Sequence, residues 1–146
     1  MKMTFKDEVA VIPAAELNEA LRVTDRQYVQ GNLQKDQIAS HIHTMDNEIG
    51  ISDYKEYTHD SPHYHDEITE TNYVISGKVC MKILDTNQDY VIEAGGVFSI
   101  PPKVKHVLKI KAGTRIIFFK SKSINDKNEI DFESLGLDQW FQDEDF

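Results

Sequence analysis

The chain has 146 residues, with 16 Lys+Arg against 25 Asp+Glu for a formal net charge of -9 at pH 7. That length suits one domain with a real hydrophobic core, and the acidity argues against a non-specific nucleic-acid binder, which needs a basic footprint. No run of 18 apolar residues predicts a membrane span, residues 1–30 are too charged for a signal-peptide core, and the lone Cys80 has no internal disulfide partner. The expectation is a cytoplasmic protein.

Residues 1–37 read as an N-terminal arm with mixed helix and strand signals. Pro13 to Arg22 opens on proline and is rich in helix formers, so it predicts one or two helical turns with Leu17 and Leu21 on the buried face. From Ile38 onward the period is mostly two. Strands are predicted over 38–44, 49–54, 68–76 (ending at Gly77), 79–84, 90–92, 97–100, 106–110 and 114–119, with Gly, Pro and Asn between them. Eight short strands over residues 38–125 predict an all-β, antiparallel sandwich or barrel with short peripheral helical segments.

Residues 126–146 form an extension of different character. Eight acidic residues and one basic residue, Lys127, give it -7 of the total charge, yet it also holds Phe132, Leu135, Leu137, Trp140, Phe141 and Phe146. Two readings stand: an arm docked by its apolar residues, or a pocket lid or partner-binding segment.

Five of the six histidines lie between residues 41 and 65. His63 and His65 point to one face of a strand and can converge on one cation, and Glu70 adds a carboxylate on the neighbouring stretch. Such nitrogen and oxygen donors suit Zn, Fe, Mn, Ni, Co or Cu. On an alternating strand His41 and His43 share a face opposite Ile42. They meet solvent or another subunit if Ile42 is in the core, and line a pocket if it is not. Cys80 reads as a buried structural thiol. No phosphate-binding loop, dinucleotide fingerprint, nucleophile elbow or HExxH occurs.

The run His63-x-His65-x4-Glu70-x6-Gly77 resembles the first motif of the cupin superfamily, and Gly95-x5-Pro101-x-Lys103-x2-His106 resembles the second, with 17 residues between Gly77 and Gly95. The resemblance covers about residues 57–119. It implies a double-stranded β-helix, the jelly-roll or cupin barrel, with a divalent transition metal held by His63, His65, Glu70 and His106. Tyr57, Lys103 and Ile110 stand where the motifs carry Gly, Gly and Asn, which implies altered loops. Lys103 either pairs with an anionic substrate or is solvated. Glu67, two residues after His65, is a competing carboxylate.

Two functions follow from the resemblance. One is a metal-dependent enzyme acting on a small polar or anionic metabolite, of isomerase, epimerase or oxygenase type. An isomerase needs a positioned base, for which Glu67, Tyr73 and His59 are the candidate catalytic residues. The other is a non-catalytic small-molecule binding or sensing module. A third reading makes the acidic aromatic tail a partner-docking element. The resemblance also implies a homodimer paired through N-terminal strands.

Overall fold

The computed structural model describes residues 2–146. Among the described residues, thirteen strands, two α-helices and one 3-10 turn follow one another. β1 (Thr4–Phe5), β2 (Arg26–Gly31), β3 (His41–His43), β4 (Glu48–Tyr54), β7 (Glu70–Ser76), β10 (Val97–Ile100) and β12 (Thr114–Lys120) build a seven-stranded sheet in the order β1-β3-β2-β4-β12-β7-β10. A six-stranded sheet contains β6 (His63–His65), β8 (Lys78–Ile83), β9 (Gln88–Glu93), β11 (His106–Ile110) and β13 (Lys127–Glu129) in the order β13-β6-β11-β8-β9, with β5 (Thr58–His59) also pairing β11. The expected jelly roll is present. Its closure is different: among the described residues no backbone ladder joins the two sheets, so the barrel is an open sandwich.

Alternation builds the core. Val74, Ile116, Ile100 and Phe98 turn inward from the larger sheet to meet Val79, Met81, Leu108 and Ile110 from the smaller one. Burying each such side chain contributes roughly 1.5–3 kcal/mol relative to leaving it exposed. The hairpin between β7 and β8 turns on Gly77, whose φ is 80° and whose added Cβ would sit 2.1 Å from Thr114 Oγ1. Neither the conformation nor the space admits a side chain there.

The predicted helix forms as α1 (Ala14–Val23), with Ala20 and Leu21 buried and Leu17 half-buried. Extended backbone at Pro13 and Thr24 bounds it. The strand expected over 38–44 is confined to His41–His43 because side chains occupy the preceding ladder positions. Gln37 donates to Tyr28 O at 2.6 Å and accepts from Tyr28 N at 2.8 Å, and Ala39 N donates to Gln27 Oε1 at 2.8 Å. β3 also runs parallel to both β1 and β2, an exception to the otherwise antiparallel pairing.

The acidic tail is docked along the smaller sheet. β13 pairs with β6, and α2 (Asp138–Gln142) buries Phe141. Lys109, 2% exposed, donates from Nζ to Trp140 O at 2.8 Å and Asp143 O at 2.7 Å, with the Trp140 ring 4.4 Å away. A fully buried ammonium is costly unless its donors are used, and these tail carbonyls use them. Tyr57, the residue in a motif glycine position, donates its hydroxyl to Phe141 O and so helps to tie the arm down. No helix among the described residues is long and apolar enough to cross a membrane.

Candidate functional site

A cavity of about 280 Å³ lies between the sheets, lined by His63 and His65, by Glu70 and Asn72 from the opposite sheet, and by Asp60, Arg26 and Tyr54 among others. Antiparallel register sets His106 of β11 directly across from His63 of β6. Their rings are 4.4 Å apart between centroids, and His63 and His65 are 5.2 Å apart.

All three imidazoles are buried and oriented the same way. Nδ1 of His63 meets Ser61 O at 2.6 Å, Nδ1 of His106 meets Val104 O at 2.9 Å, and Nδ1 of His65 meets Asp126 Oδ1 at 2.7 Å. An acceptor at Nδ1 places the ring proton there and leaves the Nε2 lone pair free to donate to a cation. Nε2 of His106 is buried with no hydrogen-bond partner. Burial pushes the His63 pKa down to about 4 and lowers that of His106, so both rings are neutral near pH 7, the form that binds metal.

Asp126 comes from the tail and was not among the residues singled out in the sequence. Its Oδ2 accepts from Glu67 N at 2.8 Å and Ile68 N at 3.1 Å. Burial works against its charge, but these amides and the His65 ring outweigh it and hold the carboxyl below the usual range. Asp60 is a second carboxyl outside the sequence reading. It accepts from Leu108 N at 2.7 Å, its Oδ2 lies 4.0 Å from His63 Nδ1, and burial lifts its pKa to about 7. Neither residue belongs to a local spacing pattern: 61 positions separate Asp126 from His65.

Among the described residues, no group of three His, Cys, Asp or Glu side chains is closed to the geometry of a cation site. The chemistry of the donor set nevertheless fits a metal: three imidazoles with their protons fixed on the far nitrogen, one orphaned Nε2, and a carboxylate, Glu70, on the opposite wall. Asn72 Nδ2 donates to Glu70 Oε2 at 3.3 Å.

The three residues considered as bases sit off the cavity wall. Glu67 is exposed and pairs with Lys122 at 3.5 Å. Tyr73 points outward from β7 and is 46% exposed. His59 packs against tail aromatics that stack on each other, its ring 4.0 Å from Phe141 and 5.7 Å from Phe132. His41 and His43 are half-buried near the sheet edge, away from the cavity.

Lys103 departs from the motif in residue type only. Its φ is 71°, so the left-handed turn a glycine would make is kept. Lys103 N donates to His65 O at 2.7 Å and Nζ pairs with Asp66 at 3.0 Å, which offsets the backbone strain and leaves the ammonium with a carboxylate of its own.

Residues 50–118 match the family described as the Cupin domain. No curated protein sequence matches the chain. Among solved structures, an oxalate oxidase is similar at 21% identity and a TM-score of 0.49, over 58% of this chain and 46% of that one, so the chain spans about half that protein's length. A structure from a study of the DMSP lyases RdDddP and RnDddQII shares 14% identity with a TM-score of 0.56, over 72% of this chain and 51% of the other. A Klebsiella pneumoniae protein described by its double-stranded β-helix domain shares 15% identity with a TM-score of 0.52, over 60% and 77% of the two chains. These likenesses concern the fold.

Proposed function

This chain belongs to the cupin superfamily through its domain at residues 50–118, and on that premise we propose a metal-dependent enzyme acting on a small polar or anionic metabolite. The proposed ligands are His63, His65, Glu70 and His106. The observation that carries the reading is the orphaned Nε2 of His106 within a trio of rings whose Nδ1 atoms are all held by acceptors. A bound divalent transition metal would supply Lewis acidity, or redox capacity if it were iron, copper or manganese. The chain's own residues keep the His63 and His106 rings neutral, fix the orientation of all three imidazoles through Ser61, Val104 and Asp126, and shelter the donors between two sheets. Isomerase, epimerase and oxygenase chemistry all suit that donor set.

Metal analysis of the purified protein against a His63→Ala/His65→Ala double variant tests the assignment. Strong loss of metal in the variant is expected, and equal metal in both overturns it.

The position of Glu67, Tyr73 and His59 off the cavity favours a second reading, a binding or sensing module of the same fold. Turnover of a bound ligand supports the enzyme, and stoichiometric binding without consumption supports the module.

Pairing of two copies belongs to the same proposal. β1 is paired with β3 within one chain. The outer face of the larger sheet, however, presents Val97, Tyr73 and Ile117 in register across three strands, all exposed, with Ile75 and Phe119 beside them. A contiguous apolar face of this kind supports a dimer, and a monomer mass in solution scattering overturns it.

A further inference from the structure

Arg26 stands out among the cations that line the cavity. Lys120 pairs with Glu48 at 3.4 Å and Lys127 with Glu129 at 3.7 Å, but no carboxylate pairs with Arg26 among the described residues. The guanidinium is nonetheless held in place. β2 and β4 set Arg26 opposite Ser52. Its Nε donates to Ser52 Oγ at 2.9 Å and its Nη2 to Tyr54 OH at 3.0 Å.

Beneath it lies Phe118, whose ring centroid is 5.1 Å from the guanidinium carbon. Tyr28 meets the same ring edge-on at 5.6 Å. The Phe118 ring occupies this position only because residue 50 has no side chain, since a Cβ on Gly50 would come within 2.1 Å of Phe118 Cζ. A glycine, an aromatic floor and two hydroxyls thus position one cation at the junction of the inner cavity and a larger groove of about 880 Å³, which Arg26 and Tyr28 also line.

We propose that Arg26, with the Ser52 and Tyr54 hydroxyls and the Phe118 ring, is the recognition point for the carboxylate of a small organic acid entering the cupin cavity. The proposal rests on the metal-centre reading in one respect: the acid's second oxygen donor is the part that would reach the imidazoles. Guanidinium and carboxylate are both planar and match in a two-bond fork. A hydroxyl that accepts from Arg26 is polarised to donate its own proton onward to the same anion. The carboxylates along the cavity are engaged elsewhere, Asp126 with His65 and two amides, Asp60 with the Leu108 amide, and Glu70 with Asn72. Their charge favours a guest with one negative charge over a phosphate dianion. A cavity of about 280 Å³ limits the guest to a few carbon atoms.

The test is calorimetric titration of the purified protein with glycolate, lactate and pyruvate, against the uncharged ethylene glycol and 1,2-propanediol. Metal content and melting temperature are measured in every variant. Wild type is expected to prefer a carboxylate by at least roughly tenfold, the change one charge-assisted pair produces. Arg26→Gln should abolish that preference while keeping metal and melting temperature, and Arg26→Lys should restore part of it. A wild type with no preference, or an Arg26→Gln variant that keeps it, overturns the proposal. A wild type that prefers the carboxylate through Arg26 yet holds no more metal than His63→Ala/His65→Ala supports this proposal and overturns the metal reading.

Discussion

Asp126 is the residue through which the tail reaches the imidazole cluster, and its removal should separate stability from metal binding. Its side chain is 9% exposed and accepts from three donors, His65 Nδ1, Glu67 N and Ile68 N. In Asp126→Ala, Glu67 is exposed and its amide can turn to water, but His65 and Ile68 are buried. Two buried donors left unpaired cost about 1–3 kcal/mol each. Relief of the carboxylate's own desolvation offsets part of this, so the net loss should be about 3 kcal/mol, near the range for breaking a buried pair. Metal affinity should fall independently, because His65 loses the acceptor that fixes its proton on Nδ1. Partners of this kind govern affinity by about 10- to 100-fold. Asp126→Asn keeps one acceptor oxygen and should fall between wild type and alanine in both measures. The assays are urea denaturation of the metal-free protein and competition for metal with a chelator of known affinity. Glu144→Ala, an exposed tail residue, controls for the lost charge. If Asp126→Ala is destabilised yet binds metal as wild type does, the orientation argument is wrong.

Other consequences are open to measurement. Cys80 is buried, its strand position pairs with Lys109 beneath the arm, and burial raises its thiol pKa, so it should react slowly with a thiol reagent at pH 8. Deleting residues 138–146 should accelerate that labelling by at least roughly tenfold if the segment shields the thiol through local openings, and unchanged labelling would show that it does not. At the left-handed residue 103, Lys103→Gly should be about 1 kcal/mol more stable than Lys103→Ala in urea unfolding, since both lose the Asp66 pair and only glycine relieves the strain; equal stabilities refute the strain. Burial, His43 and Lys2 lower the pKa of His41 below 6.5. The unfolded chain then binds more protons as pH falls through about 6.5, so this residue's contribution to stability is full above that value and lost below it. His41→Asn should flatten the decline in melting temperature between pH 7 and 5, and an unchanged slope removes His41 as its source.

What could be read in advance divides along local and non-local lines. The strand 97–100 was legible to the residue because it alternates between Gly96 and Pro101, and 106–110 because its apolar residues run up to the Ala112-Gly113 turn. β2 was not, because the residues it turns toward the cavity are Arg26 and Tyr28 rather than aliphatic ones, and its strand character comes from pairing with β4. His63, His65 and His106 could be grouped through two motifs, and the register of β6 with β11 sets His63 beside His106. Asp60, Asp126 and Arg26 carry no such signature. A carboxylate in an acidic tail looks like all the others until the chain folds and one of them meets a buried imidazole. The three candidate bases lie close to His63 and His65 along the chain, whereas access to the cavity depends on where folding places each side chain.

The ladder between β13 and β6 also orders events during synthesis. Lys127, Asn128 and Glu129 lie against His65, Tyr64 and His63, and Ile130 N donates to Pro62 O. A nascent chain that has released residues 50–118 from the ribosome contains every proposed ligand, but the strand bearing two of them still lacks one neighbour and His65 its acceptor. The proposed donor set would therefore be fully supported only after roughly the next dozen residues, and a cation would be held more weakly by a chain whose tail has not yet emerged.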